Sequence, residues 1–110
     1  MNKTTYLGEL EQMILLVVLG QGDDAYGISI RNELDKRVGR KLSRSAAYTT
    51  LERLVSKGYL LTRMGDPDAR RGGRAKRYYG LSAKGRAALR ASGRALFELW
   101  AGHEHLLEEA

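Results

Sequence analysis

The chain has 110 residues, a net charge of +6 and no cysteine. The length indicates one domain, and the lack of cysteine excludes disulfides and thiolate metal sites. The longest apolar run, residues 13–19, is far shorter than the ~20 residues that span a bilayer, so we expect a cytoplasmic protein without a membrane partner.

The first predicted helix is apolar on nearly all of its faces. It begins near Leu7 and ends before Gly20 and Gly22, with apolar residues at helical spacing. A helix of this kind is buried on more than one side. In so short a chain we expect the second side to belong to another subunit, and Leu16 is the candidate contact.

The second helix is predicted over residues 25–38. Asp23 or Asp24 is expected to cap its amino end, and Gly39 is a natural stop at its carboxyl end. Its inner face is predicted to carry Tyr26, Ile30 and Leu34.

The third helix is predicted to begin after Ser43, which can act as its N-cap, and to end before Gly58. At about 100° per residue, the predicted buried stripe contains Ala47, Tyr48, Leu51, Leu54 and Val55. The opposite face and the helix start then present small side chains and cations: Arg44, Ser45, Ala46, Thr49 and Arg53. Such a face suits contact with base edges in the major groove of DNA.

A basic hairpin is predicted after the third helix. Residues 59–63 and 77–81 have strand character and enclose a polar, glycine-containing loop. Residues 56–95 carry eleven Lys/Arg and two Asp/Glu, so the positive charge of the chain belongs to this segment. Five cations at the hairpin tip are expected to contact DNA phosphates or the minor groove: Arg70, Arg71, Arg74, Lys76 and Arg77.

The last helix is predicted to begin after Ser82, whose hydroxyl can cap it. Its long side chains fall near a seven-residue repeat: Leu89, Leu96, Leu99, His103 and Leu106, with Trp100 alongside. If it continued to Glu109 the helix would reach ~42 Å, which is longer than the domain needs for its own core. The sequence leaves open whether the helix breaks near Gly102.

Motifs of enzymes and metal sites are missing from the sequence. It contains no phosphate-binding loop, nucleophile elbow or metalloprotease helix. His103 and His105 would not share a helix face. We therefore expect no catalytic residue, no cofactor and no metal.

The order helix, helix, helix, hairpin, helix is that of a winged helix-turn-helix domain with an appended helix. We predict a mainly α fold with a small β-hairpin. Residues 1–81 would form the DNA-binding domain and residues 82–110 a long C-terminal dimerisation helix. The third helix would read the major groove, and the hairpin, called the wing from here on, would follow the DNA backbone.

Five segments resemble the short subfamily of PadR-type transcriptional regulators: residues 7–11 with 14–16, 25–30, 48–60, 71–79 and 81–89. Ser82 departs from the threonine common in that family, but either hydroxyl can cap a helix. The resemblance implies a homodimer that binds a palindromic operator and usually represses. It also implies a dimer interface built by the first and last helices, here with Leu16, Leu96, Leu99 and Trp100.

Some members of that subfamily bind planar aromatic or cationic compounds between their subunits, using a tryptophan of the last helix. The resemblance thus implies an effector site at Trp100, although we favour dimer packing for this side chain. Two other functions stay open. The chain could be a basic RNA-binding module, or an interaction protein whose basic loop docks an acidic partner.

Overall fold

The computed structural model describes residues 6–66 and 75–108. Its helices are α1 (Glu9–Gln21), α2 (Gly27–Val38), α3 (Arg44–Ser56), α4 (Ala83–Trp100) and α5 (Glu104–Glu108), with a 3-10 turn at Gly22–Asp24. Its strands are β1 (Leu60–Met64) and β2 (Arg77–Leu81). This order confirms the predicted fold class, a mainly helical domain with a small β-hairpin.

The hairpin is antiparallel and is attached to the start of α2. Leu60 lies opposite Leu81, and Met64 lies opposite Arg77. The backbone N–H of Tyr79 donates to the carbonyl of Ala25 at 2.9 Å. The wing is therefore tied to the helical part of the domain through main-chain hydrogen bonds as well as through its side chains.

The core lies between the first three helices and the hairpin. Its most completely buried large side chains come from α1, α2, α3 and β1: Ile14, Leu15, Val18, Ile30, Leu51, Leu54 and Leu60. Each such side chain contributes about 1.5–3 kcal/mol by leaving water. One small core thus fixes the relative positions of α2, α3 and the wing.

The other apolar side of α1 stays open in the single chain. Leu16 is 53 % exposed, and Leu19 is also exposed. The core therefore buries only one apolar side of this helix. The second apolar side stays exposed in the part of the chain that the structure describes.

The start of α2 differs from the prediction. Residues 22–24 form the 3-10 turn, and the helix begins at Gly27 rather than at residue 25. Neither Asp23 nor Asp24 caps it, because both belong to the 3-10 turn and Tyr26 occupies the N-cap position. Instead the hydroxyl of Ser29 accepts the N–H of Tyr26 at 2.9 Å.

Helix α1 begins at Glu9 rather than near Leu7 and continues through Gly20 to Gln21, so its predicted end before Gly20 is wrong. Three other predicted helix boundaries are confirmed. Gly39 ends α2 with a φ of 67°, in the left-handed region that glycine favours. The hydroxyl of Ser43 accepts the N–H of Ala46 at the start of α3. The hydroxyl of Ser82 accepts the N–H of Gly85 at the start of α4.

The predicted buried stripe of α3 is wrong at one position. Tyr48 is 57 % exposed, and Thr50 is buried in its place. Ala47, Leu51 and Leu54 set the centre of the stripe, and Tyr48 lies about 90° away from that centre at 3.6 residues per turn. Thr50 lies closer to it on the other side, and its hydroxyl is satisfied by donating to the carbonyl of Ala46 at 2.9 Å.

Two small residues allow α4 to pack closely on the rest of the domain. A Cβ atom at Gly85 would lie 2.1 Å from the carbonyl oxygen of Tyr59, so only glycine fits there. Further along α4, the hydroxyl of buried Ser92 accepts the N–H of Leu7 at 2.9 Å. Both contacts connect α4 directly to the winged-helix part of the chain.

The last helix is broken, which settles the question that the sequence leaves open. Helix α4 ends at Trp100, Gly102 has a φ of 81°, and α5 begins at Glu104. The ring Nδ1 of His103 lies 2.9 Å from the carbonyl oxygen of Leu99. None of the helices in the described parts of the chain is long and apolar enough to cross a membrane.

Candidate nucleic-acid interface

The exposed side of α3 carries the side chains that the sequence assigns to base contact. We call Ser45, Ala46, Thr49 and Arg53 the reading face; all four are exposed. The opposite side of α3 is fixed in the core by its buried leucines. Arg44 and Tyr48 lie on one flank of the reading face, at the side nearest β2.

A groove opens between the start of α2, α3 and β2. Its volume is about 290 Å³. Aromatic rings and cations share its lining: Tyr26, Arg31, Arg44, Tyr48, Lys76 and Arg77. This wing groove is therefore apolar inside and positively charged at its edge, and it directly adjoins the reading face.

Two cations of the wing region are held over aromatic rings. The ammonium of Lys76 lies 3.8 Å from the ring centre of Tyr26. The guanidinium of Arg63 lies 4.4 Å from the ring centre of Tyr78 and donates to the carbonyl of Asp23 at 2.7 Å. Such cation–π contacts orient the charge without neutralising it, so both cations keep their attraction for a polyanion.

Arg77 is held differently, by an ion pair with Glu52 of α3. Partial burial alone would lower the pKa of Arg77, but its interactions with Tyr79 and Glu52 outweigh this effect and raise its pKa. Burial raises the pKa of the Tyr79 hydroxyl, so this group stays protonated at neutral pH. Arg77 thus links the root of the wing to α3.

Three of the predicted tip residues, Arg70, Arg71 and Arg74, lie outside the described residues. The structure describes the stem that carries them. Where the stem ends, the N–H of Gly65 donates to the carbonyl of Lys76 at 2.7 Å. This hydrogen bond closes the described end of the stem, which adjoins the wing groove through Lys76 and Arg77.

Two residues of this surface differ from what the sequence predicts. The predicted stripe places Tyr48 in the core, although its distance from the centre of the stripe indicates exposure. The prediction does not include Glu52, because its partner Arg77 is distant in sequence. No local pattern identifies such a pair.

The four residues predicted to form a dimer or effector surface are all exposed. Leu16 lies on α1, and Leu96, Leu99 and Trp100 lie near the end of α4. They face away from the residues that build the core. Residues 6–66 and 75–108 contain no cluster of three or more His, Asp or Glu side chains that could hold a metal ion.

Comparison with known structures supports the fold. A PadR family transcription regulator from Clostridium difficile matches with a TM-score of 0.73 and 20% identity, over 91% of this chain and 99% of that one. A PadR-like transcriptional regulator from Bacillus cereus matches with a TM-score of 0.72 and 21% identity, over 89% and 90% of the two chains.

A third structure is that of Bacillus subtilis PadR in complex with operator DNA. It matches with a TM-score of 0.64 and 21% identity, over 74% of this chain and 46% of that one. A search of the curated proteins found no match. Residues 15–91 match the family described as the transcriptional regulator PadR-like family. Because this match covers well over half of the chain, the protein belongs to the PadR-like family of transcriptional regulators.

Proposed function

We propose that the protein is a homodimeric repressor that binds a palindromic DNA operator. The observation that carries the proposal is the reading face of α3, exposed beside a wing rich in cations. Small polar side chains let a helix approach base edges closely, and the flanking cations can neutralise phosphates. Family membership supports the same function.

We assign base contacts and phosphate contacts to two different sets of residues. Ser45, Ala46 and Thr49 contact base edges in the major groove. Arg44, Arg53 and Lys76 contact phosphates beside the groove, together with the tip residues Arg70, Arg71 and Arg74. Arg77 contributes by positioning the wing through Glu52. Sequence preference therefore lies in α3, and the wing supplies affinity.

The proposal also divides the chain into two parts. Residues 1–81 form the DNA-binding domain, and residues 82–110 form the dimerisation segment together with α1. A two-fold dimer presents two copies of α3 to one side of the duplex. Its operator then consists of two inverted half-sites about one helical turn, or ~34 Å, apart.

The test compares three variants on an operator selected from a random duplex pool. Fluorescence anisotropy gives affinity across a salt series for Thr49→Ala, Lys76→Ala and the control Lys36→Ala. Lys36 is exposed near the carboxyl end of α2, at the opposite end of that helix from the wing groove.

The three variants are expected to change different properties of DNA binding. Thr49→Ala changes the preferred bases, with a loss of about 1–3 kcal/mol at the affected position. Lys76→Ala weakens binding to all duplexes and reduces the slope of log K against log salt by about 0.9. Lys36→Ala leaves both quantities unchanged. Equal behaviour of all three variants would contradict the assignment.

The same assay separates the two alternative functions. A preference for RNA over duplex DNA in competition would identify an RNA-binding module. No saturable binding to any nucleic acid at about 150 mM salt would indicate an interaction protein with an acidic partner.

An effector site remains part of the proposal because of the family resemblance. The ring of Trp100 lines an apolar hollow of about 310 Å³ formed by α4 and α5. A planar aromatic or cationic compound that binds there would quench tryptophan fluorescence and weaken operator binding at the same concentration. Quenching without an effect on DNA binding would rule out an effector role.

A further inference from the structure

The wing groove has an apolar floor and aromatic walls. The floor is formed by Ala47, Leu51 and Tyr79, which are almost completely buried. Two further rings line the walls: Tyr26, which is half-buried, and Tyr48, which is 57 % exposed. The groove is therefore an open hollow in which a flat ring system can leave water and stack on an aromatic side chain.

The edge of the groove is positively charged. It carries Arg31, Arg44, Lys76 and Arg77, and the described residues that line it include no Asp or Glu. Glu52 approaches the groove only through its ion pair with Arg77. The other three cations have no carboxylate partner among the described residues. Their charge is therefore left to attract an anion at the edge.

Two of these cations are already held in place by contacts that keep their charge. The ammonium of Lys76 lies 3.8 Å from the ring centre of Tyr26. The Nε of Arg31 donates to the carbonyl of Leu42 at 3.1 Å, which uses one of the five N–H groups of the guanidinium. Side chains that are ordered before binding lose less conformational entropy when a ligand arrives.

A planar base that carries a phosphate matches both parts of the groove. The outside of a DNA duplex presents phosphates and sugars, which suit the basic edge, but burial of a charge in the apolar hollow is unfavourable. A free base can enter the hollow and stack on an exposed aromatic ring. A phosphate monoester has a charge near −2 and three acceptor oxygens, so it can satisfy three cations better than a single carboxylate can.

We propose that the wing groove binds a mononucleotide, with the base on Tyr48 and the phosphate at the basic edge, and that this ligand competes directly with DNA. The groove volume of about 290 Å³ lies at the lower end of the ~300–1,000 Å³ that is usual for small-molecule pockets, which limits the ligand to one nucleotide. Competition follows because Arg44 and Lys76 are also assigned to phosphates of the operator, so this part rests on the function proposed above. The site is separate from the hollow at Trp100 on α4 and α5.

Adenosine monophosphate (AMP) and its fragments test the site without DNA. Backbone amide shifts in NMR spectra of the full chain give both the position of binding and the dissociation constant. We expect AMP to shift the amides of Tyr26, Tyr48 and Lys76 and to leave the indole N–H of Trp100 unchanged. Adenosine, ribose 5-phosphate and inorganic phosphate should each bind at least about tenfold more weakly, because each lacks the base or the phosphate.

Two variants separate stacking from charge. Tyr48→Ala should raise the dissociation constant of AMP about tenfold through the loss of the stacking ring, and the core stays intact because Tyr48 is exposed. The matched control is Tyr6→Ala, since Tyr6 is also 57 % exposed and does not line the groove. Arg44→Gln should weaken AMP binding and leave the weak binding of adenosine unchanged, because adenosine has no phosphate.

Competition is measured by fluorescence anisotropy with the selected operator. AMP at about ten times its dissociation constant should raise the operator dissociation constant at least about tenfold, and ribose 5-phosphate at the same concentration controls for ionic strength. Unchanged operator affinity with a saturated groove would overturn the competition.

Three other results would overturn the nucleotide site and leave the DNA-binding function intact. These are an absence of shifts in the groove, equal binding of AMP and inorganic phosphate, and a short single-stranded oligonucleotide that fills the groove far more tightly than AMP. A wild-type chain that binds AMP in the groove but no duplex would support the site and contradict both the competition and the function proposed above.

Discussion

The hydrogen bond between Ser92 and Leu7 offers a stability prediction that follows from burial. Both residues are almost removed from solvent, Ser92 with 2 % and Leu7 with 7 % of their surface exposed. The bond is 2.9 Å long and joins the start of the chain to the middle of α4. Ser92→Ala removes the acceptor and leaves the N–H of Leu7 buried without a partner.

The expected cost is the desolvation of that N–H group, about 1–3 kcal/mol. The higher helix propensity of alanine offsets about 0.5 kcal/mol of this loss in stability. The net loss of about 0.5–2.5 kcal/mol corresponds to a fall in Tm of about 2–20 °C for a domain of this size. The control is Ser56→Ala, because Ser56 is exposed in the last turn of α3.

Thermal unfolding by circular dichroism measures the effect. Protein concentration must be equal for all variants, because the apparent stability of a dimer depends on it. We expect a clear fall in Tm for Ser92→Ala and almost none for Ser56→Ala. If both variants unfolded at the wild-type temperature, the N–H of Leu7 would have another acceptor and the reasoning from burial would be wrong.

Two further predictions concern α1 and the wing. Burial alone would raise the pKa of Glu11, but hydrogen bonds from Lys57 and the backbone together outweigh this effect and lower the pKa below its ordinary 4.5. Its contribution to stability is therefore present above that value and is lost as pH falls through the lowered pKa. In urea titrations from about pH 7 to about pH 3, the stability difference between wild type and Glu11→Gln should shrink; a constant difference would contradict the pKa direction. In the wing, a Cβ atom at Gly65 would lie 2.6 Å from a ring carbon of Tyr78, so Gly65→Ala should destabilise the protein by about 1 kcal/mol. Gly80→Ala, where the Cβ meets no atom within 4 Å, is the matched control, and equal Tm values for the two variants would refute the steric argument.

The parts of the fold that depend on local pattern are predictable from the sequence. Helical spacing locates α1 and α3, and the serine caps at 43 and 82 fix two helix starts, because a cap needs only residues a few positions apart. The reading face also follows from spacing within a single helix. The predicted contacts of these residues with DNA stay predictions.

The features that depend on contacts between distant segments are not predictable in this way. Tyr26 is half-buried at the start of α2 because it pairs with Tyr78 of the wing, which no pattern around residue 26 reveals. The position of Tyr48 depends on how α3 rotates against α2 and β2, and that rotation is decided by the whole core. Periodicity identifies the buried face of a helix, but it does not decide whether a residue at the edge of that face is buried or exposed.

The ion pair between Glu52 and Arg77 has a consequence for selectivity. A phosphate that approached Arg77 would compete with a carboxylate of the same molecule, which already pairs with the guanidinium. In the proposed complex Glu52 would thus compete with the nucleic acid for Arg77. It would remove one cation from the attraction that every duplex shares, and so leave a larger part of the binding free energy to the bases that α3 is proposed to contact.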